Sequence, residues 1–203
     1  MILILCCFVV CSILVSCVLQ TNQPCLAPRV YDNVLSPGEC ERMIERAKAL
    51  GLSRSTVAEK SGSQTSQIRT SSHVFLPPDD PVGETLKAKV RQLTGVPQSR
   101  MEQVQIVHYR PGQQYKPHFD ACNDGCDGGK DMPRTKTVMF YLNTVEEGGH
   151  TRFPNAGVSV TPKRGRAVHW YNIDDNNHNL PCAFHGADPV IRGEKWGATV
   201  WIR

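Results

Sequence analysis

The sequence predicts an α+β, mainly β protein, with two helices placed before a strand-rich half that closes into a sandwich or double-sheet jelly roll. Three observations carry this. Two capped amphipathic stretches lie before residue 100. After Met101 the apolar period changes from helical to alternating. The later runs are short and separated by turn residues, in a chain with 14 prolines and 16 glycines.

Ahead of these elements lies an apolar leader. Met1 to Leu19 is apolar apart from two serines, and no charge appears before Arg29. Such a run is just long enough to cross a hydrocarbon core of roughly 30 Å. Residues 1–20 therefore read as a signal peptide or a membrane anchor, and residues 21–28 as a linker. A basic segment at the very start, usual in a signal peptide, is missing. The expected address is the secretory pathway, in the endoplasmic reticulum lumen or anchored facing it. Four of the nine cysteines fall in the leader. Of the others, Cys122 and Cys126 share a Gly- and Asp-rich stretch and are spaced for a local bridge, which an oxidising compartment permits.

Residues 29–203 form one domain. Arg29 to Leu35 reads as a short strand. Ser36, Pro37 and Glu39 open a helix: Ser36 as N-cap, Pro37 at the first helical position, Glu39 completing a capping box. Met43, Ile44, Ala47 and Leu50 are its buried stripe and Gly51 its stop. Leu52 to Thr70 is Ser-, Gln- and Thr-rich without periodicity, and reads as a polar loop of the kind used as a lid or binding segment. A strand follows over His73–Leu76. Asp80 and Pro81 start a second helix that runs to about Leu93 and is closed by Gly95, with Leu86, Val90 and Leu93 apolar. The remaining strands are expected around Val104–Tyr109, Thr137–Leu142, Ala167–Tyr171 and Lys195–Ile202. In the last of these, Lys195, Gly197, Thr199 and Trp201 share one face, and Trp196, Ala198, Val200 and Ile202 the other.

The net charge of +4 is mild and the basic residues are scattered, so nucleic acid is not an expected partner. The chemistry concentrates at Tyr109–Asp120, YRPGQQYKPHFD. It ends in His118-Phe119-Asp120. On a strand, residues two apart face the same way, so an imidazole and a carboxylate reach one metal ion. His185 is the best candidate for a third ligand among the seven histidines. Two histidines and a carboxylate leave coordination positions open, as in non-haem Fe(II) oxygenases. Lys195, ten residues after His185, falls on a neighbouring strand, where its charge can meet the far end of a metal-bound dicarboxylate.

The half from Met101 to Arg203 resembles the catalytic domain of the 2-oxoglutarate- and Fe(II)-dependent prolyl 4-hydroxylases. The matching stretches are YRPGQQYKPHFD, RTKTVMFYLNTVEEGGHTRFP, PKRGRAVHWYN and HGADPVIRGEKWGATVWIR, in the family's order and spacing. Arg69-Thr70-Ser71-Ser72 and the strand after it extend the likeness over most of the chain beyond the leader. The resemblance implies a double-stranded β-helix (jelly-roll) core with flanking N-terminal helices. It implies His118, Asp120 and His185 as iron ligands, and Lys195, with Thr151 and the Tyr109 hydroxyl, as the grip on the 2-oxoglutarate C5 carboxylate. Tyr115, Arg134 and Trp201 match positions on the peptide-substrate side. The implied reaction is hydroxylation of peptidyl proline at C4 with Fe(II), 2-oxoglutarate, O2 and ascorbate, releasing succinate and CO2. The implied partner is a proline-rich or collagen-like peptide, and a single-domain monomer is expected. Rival readings are an oxygenase acting on another residue, a non-catalytic jelly-roll binding module, and a zinc hydrolase. Related oxygenases generally carry Arg where this chain has Lys195, which favours the prolyl branch. The intact triad counts against a binding module, and a hydrolase leaves Lys195 and Thr151 without a task. One departure stands out: His150 occupies the position between Gly149 and Thr151 that is usually acidic in the family.

Overall fold

In the first helix the local signals and the structure coincide. In a computed structural model that describes residues 26–59, 62–65, 67–121 and 132–203, helix α1 spans Pro37–Leu50. The Ser36 hydroxyl accepts from the Glu39 amide at 3.3 Å, and the Glu39 carboxylate accepts from the Ser36 amide at 2.7 Å. Helix α2 spans Pro81–Thr94, capped by Asp80 and closed by Gly95 in the left-handed region. Asp80 also accepts from Arg46 of α1 at 2.8 Å, which ties the two helices together.

The strands are β1 (Arg29–Tyr31), β2 (Ser53–Arg54), β3 (Thr56–Glu59), β4 (Gly62–Thr65), β5 (Ser72–Phe75), β6 (Gln105–Tyr109), β7 (Tyr115–His118) and β8 (Lys136–Tyr141). They continue with β9 (Glu147–Gly148), β10 (Thr151–Phe153), β11 (Val158–Val160), β12 (Ala167–Tyr171), β13 (His185–Ala187), β14 (Val190–Arg192) and β15 (Lys195–Ile202). A seven-stranded sheet runs β1-β12-β8-β15-β6-β5-β2, and a four-stranded sheet runs β11-β10-β13-β7. Their strands pair antiparallel throughout. Together they make the jelly roll that the sequence predicts.

Two apolar clusters divide the strands by alternation. On the outer face of the large sheet, Ile106, Val138, Phe140, Trp196, Ala198, Val200 and Ile202 pack against Cys40, Met43 and Ala47 of α1 and Leu86 and Val90 of α2. The other face of the same strands looks into the roll, where Met139, Tyr141, Val168 and Trp170 meet Phe153 and Val160 of the small sheet. Because strand side chains alternate, one strand builds a plain core on one side and lines the interior on the other.

Three expectations need correction. Residues 52–70 are not an irregular loop: β2 pairs with β5, and β3 and β4 form a hairpin in register from Thr56↔Thr65 to Glu59↔Gly62. Polar strands form backbone ladders without the apolar alternation that reveals a half-buried strand. The strand expected over Arg29–Leu35 stops at Tyr31, and Asn33 takes a positive φ of 57°. Strand β7 ends at His118, so Asp120 lies just past the strand rather than on it. The leader, most of the linker and the Cys122–Cys126 pair lie outside the described residues. Among those described, Cys182 is disulfide-bonded and Cys40 is a buried free thiol, and no helix is long and apolar enough to cross a membrane.

Candidate metal centre

The sheet register brings His118 and His185 face to face. β13 pairs with β7 so that the two residues are direct partners, and their rings lie 4.5 Å apart. Each ring is fixed in the same way. His118 Nδ1 lies 2.9 Å from the Lys116 carbonyl, and His185 Nδ1 lies 2.8 Å from the Ala183 carbonyl. A carbonyl only accepts, so each Nδ1 carries the proton and each Nε2 keeps its lone pair. Those two Nε2 atoms face Asp120: His118 Nε2 is 3.6 Å from Oδ1, and His185 Nε2 is 3.8 Å from Oδ2. The three donor atoms lie within 4.8 Å of one another, on a half-buried and two buried residues.

The electrostatics hold the ligands in metal-binding form. Burial pushes the His185 imidazole down to about 4, against the pull of Asp120, so it stays neutral at neutral pH. Burial alone would raise the Asp120 carboxyl, but His185, His118 and Arg134 overcome it and hold the group well below the usual carboxylate range. The neutral His185 imidazole, with the His118 ring facing the same carboxylate, belongs to the kind of donor set that a divalent transition ion needs.

A second polar site lies deeper in the roll. Lys195, the first residue of β15, stands opposite Tyr109 of β6 and is fully buried. Its ammonium donates to the Gly149 carbonyl at 2.7 Å and lies 5.4 Å from the ring centroids of both Tyr109 and Tyr141. Burial lowers its pKa to about 7, with Asp188 pulling the other way. An ammonium has three donors, and among the described residues no carboxylate reaches this one within salt-bridge distance. Thr151 sits nearby and buried, its hydroxyl accepting from Tyr141 at 2.6 Å. A buried cation held by one carbonyl and two aromatic faces is a seat for an anion.

Residues 104–203 match the family model described as the 2OG-Fe(II) oxygenase superfamily. Probable prolyl 4-hydroxylase 7 of Arabidopsis thaliana is 36% identical over 206 residues, covering 90% of this chain and 65% of that protein. Prolyl 4-hydroxylase 5 of the same plant is 35% identical over 194 residues, covering 85% of this chain and 67% of that protein. The chain thus spans about two thirds of the length of these relatives. The crystal structure of the viral collagen prolyl hydroxylase of Paramecium Bursaria Chlorella virus-1, in complex with 2OG, superposes with a TM-score of 0.71 at 29% identity, over 88% of this chain and 96% of that one. The chain belongs to the prolyl 4-hydroxylase family.

Within this family fold, the three residues matched to the substrate side are placed as follows. Tyr115 stacks on the His118 ring, centroids 3.6 Å apart and planes 17° apart, and Arg69 lies over the Tyr115 ring at 4.8 Å. Burial raises the Tyr115 phenol to about 12. Arg134 makes a bidentate pair with Glu102, at 2.7 and 2.8 Å, and lies flat over Trp201 at 3.9 Å. Arg203 joins the same Glu102 at 2.7 Å. Tyr115 and Arg134 therefore touch the metal-side cluster, as a stack on one ligand and as a charge felt by another. His150 is half-buried, and its carbonyl accepts from the Asp188 amide at 2.9 Å.

Several residues at the site escape a reading of the sequence. Thr137 donates to Asp120 Oδ2 at 2.6 Å, and Asn172 donates to Thr137 at 2.9 Å. Tyr141 orients Thr151 and flanks Lys195. Phe153 and Trp170 box His185, with ring centroids at 5.6 and 4.5 Å. The periodicity of β8 marks Tyr141 only as buried, and Thr137 looks like an ordinary strand residue.

Proposed function

We propose that the protein hydroxylates peptidyl proline at C4, using Fe(II), 2-oxoglutarate and O2 and releasing succinate and CO2. The observation that carries this is the convergence of His118, Asp120 and His185 in the same roll as a buried ammonium that has no carboxylate partner among the described residues. The pieces are close enough for the charge of Lys195 to be felt at His185. A triad alone fits many metals and reactions. A triad with a buried cation facing the interior fits a metal that must also seat a dicarboxylate.

His118 Nε2, His185 Nε2 and a carboxylate oxygen of Asp120 hold the iron, and the two backbone carbonyls fix the ring tautomers. Lys195 takes the C5 carboxylate of 2-oxoglutarate, beside Thr151 and Tyr109. Pairing with that anion restores the full protonation of an ammonium that burial weakens. Iron and 2-oxoglutarate supply the oxidative chemistry, with ascorbate as reductant. Phe153 and Trp170 exclude water from the His185 side. Tyr115, Arg134 and Trp201 form the substrate wall, with Arg134 pinned by Glu102 so that its plane stays on the indole.

The substrate is a proline-rich or collagen-like peptide, and the catalytic unit is residues 29–203, acting as a monomer. The apolar run at residues 1–20, as leader or anchor, and the disulfide at Cys182 support a secretory route to the endoplasmic reticulum lumen.

The test is incubation of the purified protein with Fe(II), 2-oxoglutarate, ascorbate and a panel of proline-rich peptides. A gain of about 16 Da on proline, with stoichiometric succinate and loss of both in His118→Ala, is expected, since removing one ligand opens the first coordination shell. Oxidation of a residue other than proline, or no peptide-dependent succinate from iron-loaded protein, would overturn the reading.

A further inference from the structure

Asp120 has two oxygens, and one of them is already hydrogen-bonded within the protein. Thr137 lies on β8 with its hydroxyl 2.6 Å from Asp120 Oδ2, and both residues are buried. The carboxylate can only accept, so the single hydroxyl proton of Thr137 must point at Asp120. The Thr137 oxygen is then an acceptor, and the Asn172 amide fills it at 2.9 Å. This also fixes which way the Asn172 amide is turned, because an oxygen facing Thr137 would meet no proton.

Asn172 is itself anchored. β12 pairs with β8 so that Trp170 stands across from Thr137, and Asn172 follows two residues later on the same face. Its backbone N–H donates to the Thr135 carbonyl and its backbone carbonyl accepts from the Leu180 N–H, each at 2.9 Å. The side chain is fully buried, yet among the described residues its Oδ1 has no hydrogen-bond partner. A buried amide oxygen without a donor costs stability. An apolar residue would serve the fold better, so the amide is kept for what it donates.

We propose that Thr137 and Asn172 are positioning residues for the iron. The chain Asn172 → Thr137 → Asp120 engages Oδ2, favours Oδ1 as the ligand oxygen, and so biases the carboxylate towards monodentate binding with the remaining coordination positions open. The proposal rests on reading His118, Asp120 and His185 as the iron site.

The test uses the full chain, stripped of metal and titrated anaerobically with Fe(II), and in parallel with Co(II), whose absorption spectrum reports coordination. Thr137→Val keeps the shape and removes the donor. It is expected to weaken Fe(II) binding by about 10-fold or more and to change the Co(II) spectrum. Thr137→Ser restores both. Asn172→Leu acts in the same direction by a smaller factor and leaves metal-free thermal unfolding unchanged or raised. Asp120→Ala is the control. If Asp120→Ala abolishes tight binding while Thr137→Val binds and absorbs as the parent does, the positioning role is wrong and the iron site stands. If Thr137→Val lowers only the metal-free melting temperature, the role is purely structural and the proposal is likewise wrong. If Asp120→Ala binds Fe(II) as the parent does, the iron-site reading itself is wrong.

Discussion

The two faces of the large sheet obey different rules. The face toward the helices is packed with apolar side chains: Ile106, Val138, Phe140, Trp196, Ala198, Val200 and Ile202, each buried. The face toward the roll carries Gln105, Tyr109, Thr137, Tyr141 and Lys195, equally buried but polar. The same three strands, β6, β8 and β15, make both faces. One side is filled for stability, and the other holds polar groups that burial penalises unless they are hydrogen-bonded, as Gln105, Thr137, Tyr141 and Lys195 are. The comparison teaches that stability and chemistry can be altered separately by choosing odd or even positions along one strand.

The largest separation is expected on the helix side. Phe140 is fully buried in the helix-facing cluster. Phe140→Ala removes a ring and leaves a cavity, which costs about 3–5 kcal/mol. Denaturant unfolding should show that loss, while Fe(II) affinity per folded molecule stays at the parent value. A matching loss of metal affinity would mean that the two faces are coupled.

The mirror change lies on the neighbouring strand, β15. Lys195→Met replaces a buried ammonium with an apolar side chain of similar length. The metal-free fold is expected to hold or gain stability, because the ammonium has one carbonyl partner and is pushed down to about 7 by burial. Affinity for 2-oxoglutarate should fall by about 2–5 kcal/mol, which is roughly 30-fold or more, with Fe(II) binding kept. The sign of the pH effect follows from the lowered pKa. In the unfolded chain Lys195 keeps its proton above pH 7, so the ligand-free fold loses stability as pH falls from about 10 towards 7, and Lys195→Met removes that slope. Unfolding at several pH values across that window checks it.

This contrast also explains what could be read from the chain. The helices were legible because their signals are local: Ser36 and Glu39 stand three residues apart, and so does their reciprocal bonding. The outer face of β15 was legible as alternation, and its inner face supplied Lys195. His118, Asp120 and His185 were legible as a motif plus spacing. Thr137 and Asn172 were not, since their link depends on the β8–β12 register and spans 35 positions. The Gly149 carbonyl that holds Lys195 belongs to the backbone and leaves no mark in side-chain chemistry. The β3–β4 hairpin was misread because its polar residues lack the alternation used to find strands.

The smallest expected effect concerns a residue that breaks the rule for the outer face. His169 shares a side of β12 with Ala167, which belongs to the helix-facing cluster, yet it carries two ring nitrogens. It is 3% exposed, and among the described residues neither nitrogen has a hydrogen-bond partner. Burial, with Lys136 and Arg29 nearby, lowers its pKa from 6.5 to about 4. The unfolded chain therefore takes up a proton between these values more readily than the folded one, and stability falls as pH drops from about 6.5 towards 4. His169→Phe is expected to raise stability by about 1 kcal/mol at neutral pH, by removing an unsatisfied buried polar group. It should also flatten the acid slope without abolishing it, because His185 is shifted in the same way in the metal-free protein. Denaturant unfolding of parent and variant at pH 7 and pH 5 measures both. A variant less stable than the parent at pH 7, or with an unchanged slope, would place His169 among residues kept for a role rather than tolerated, and would remove the distinction between the two faces at that strand.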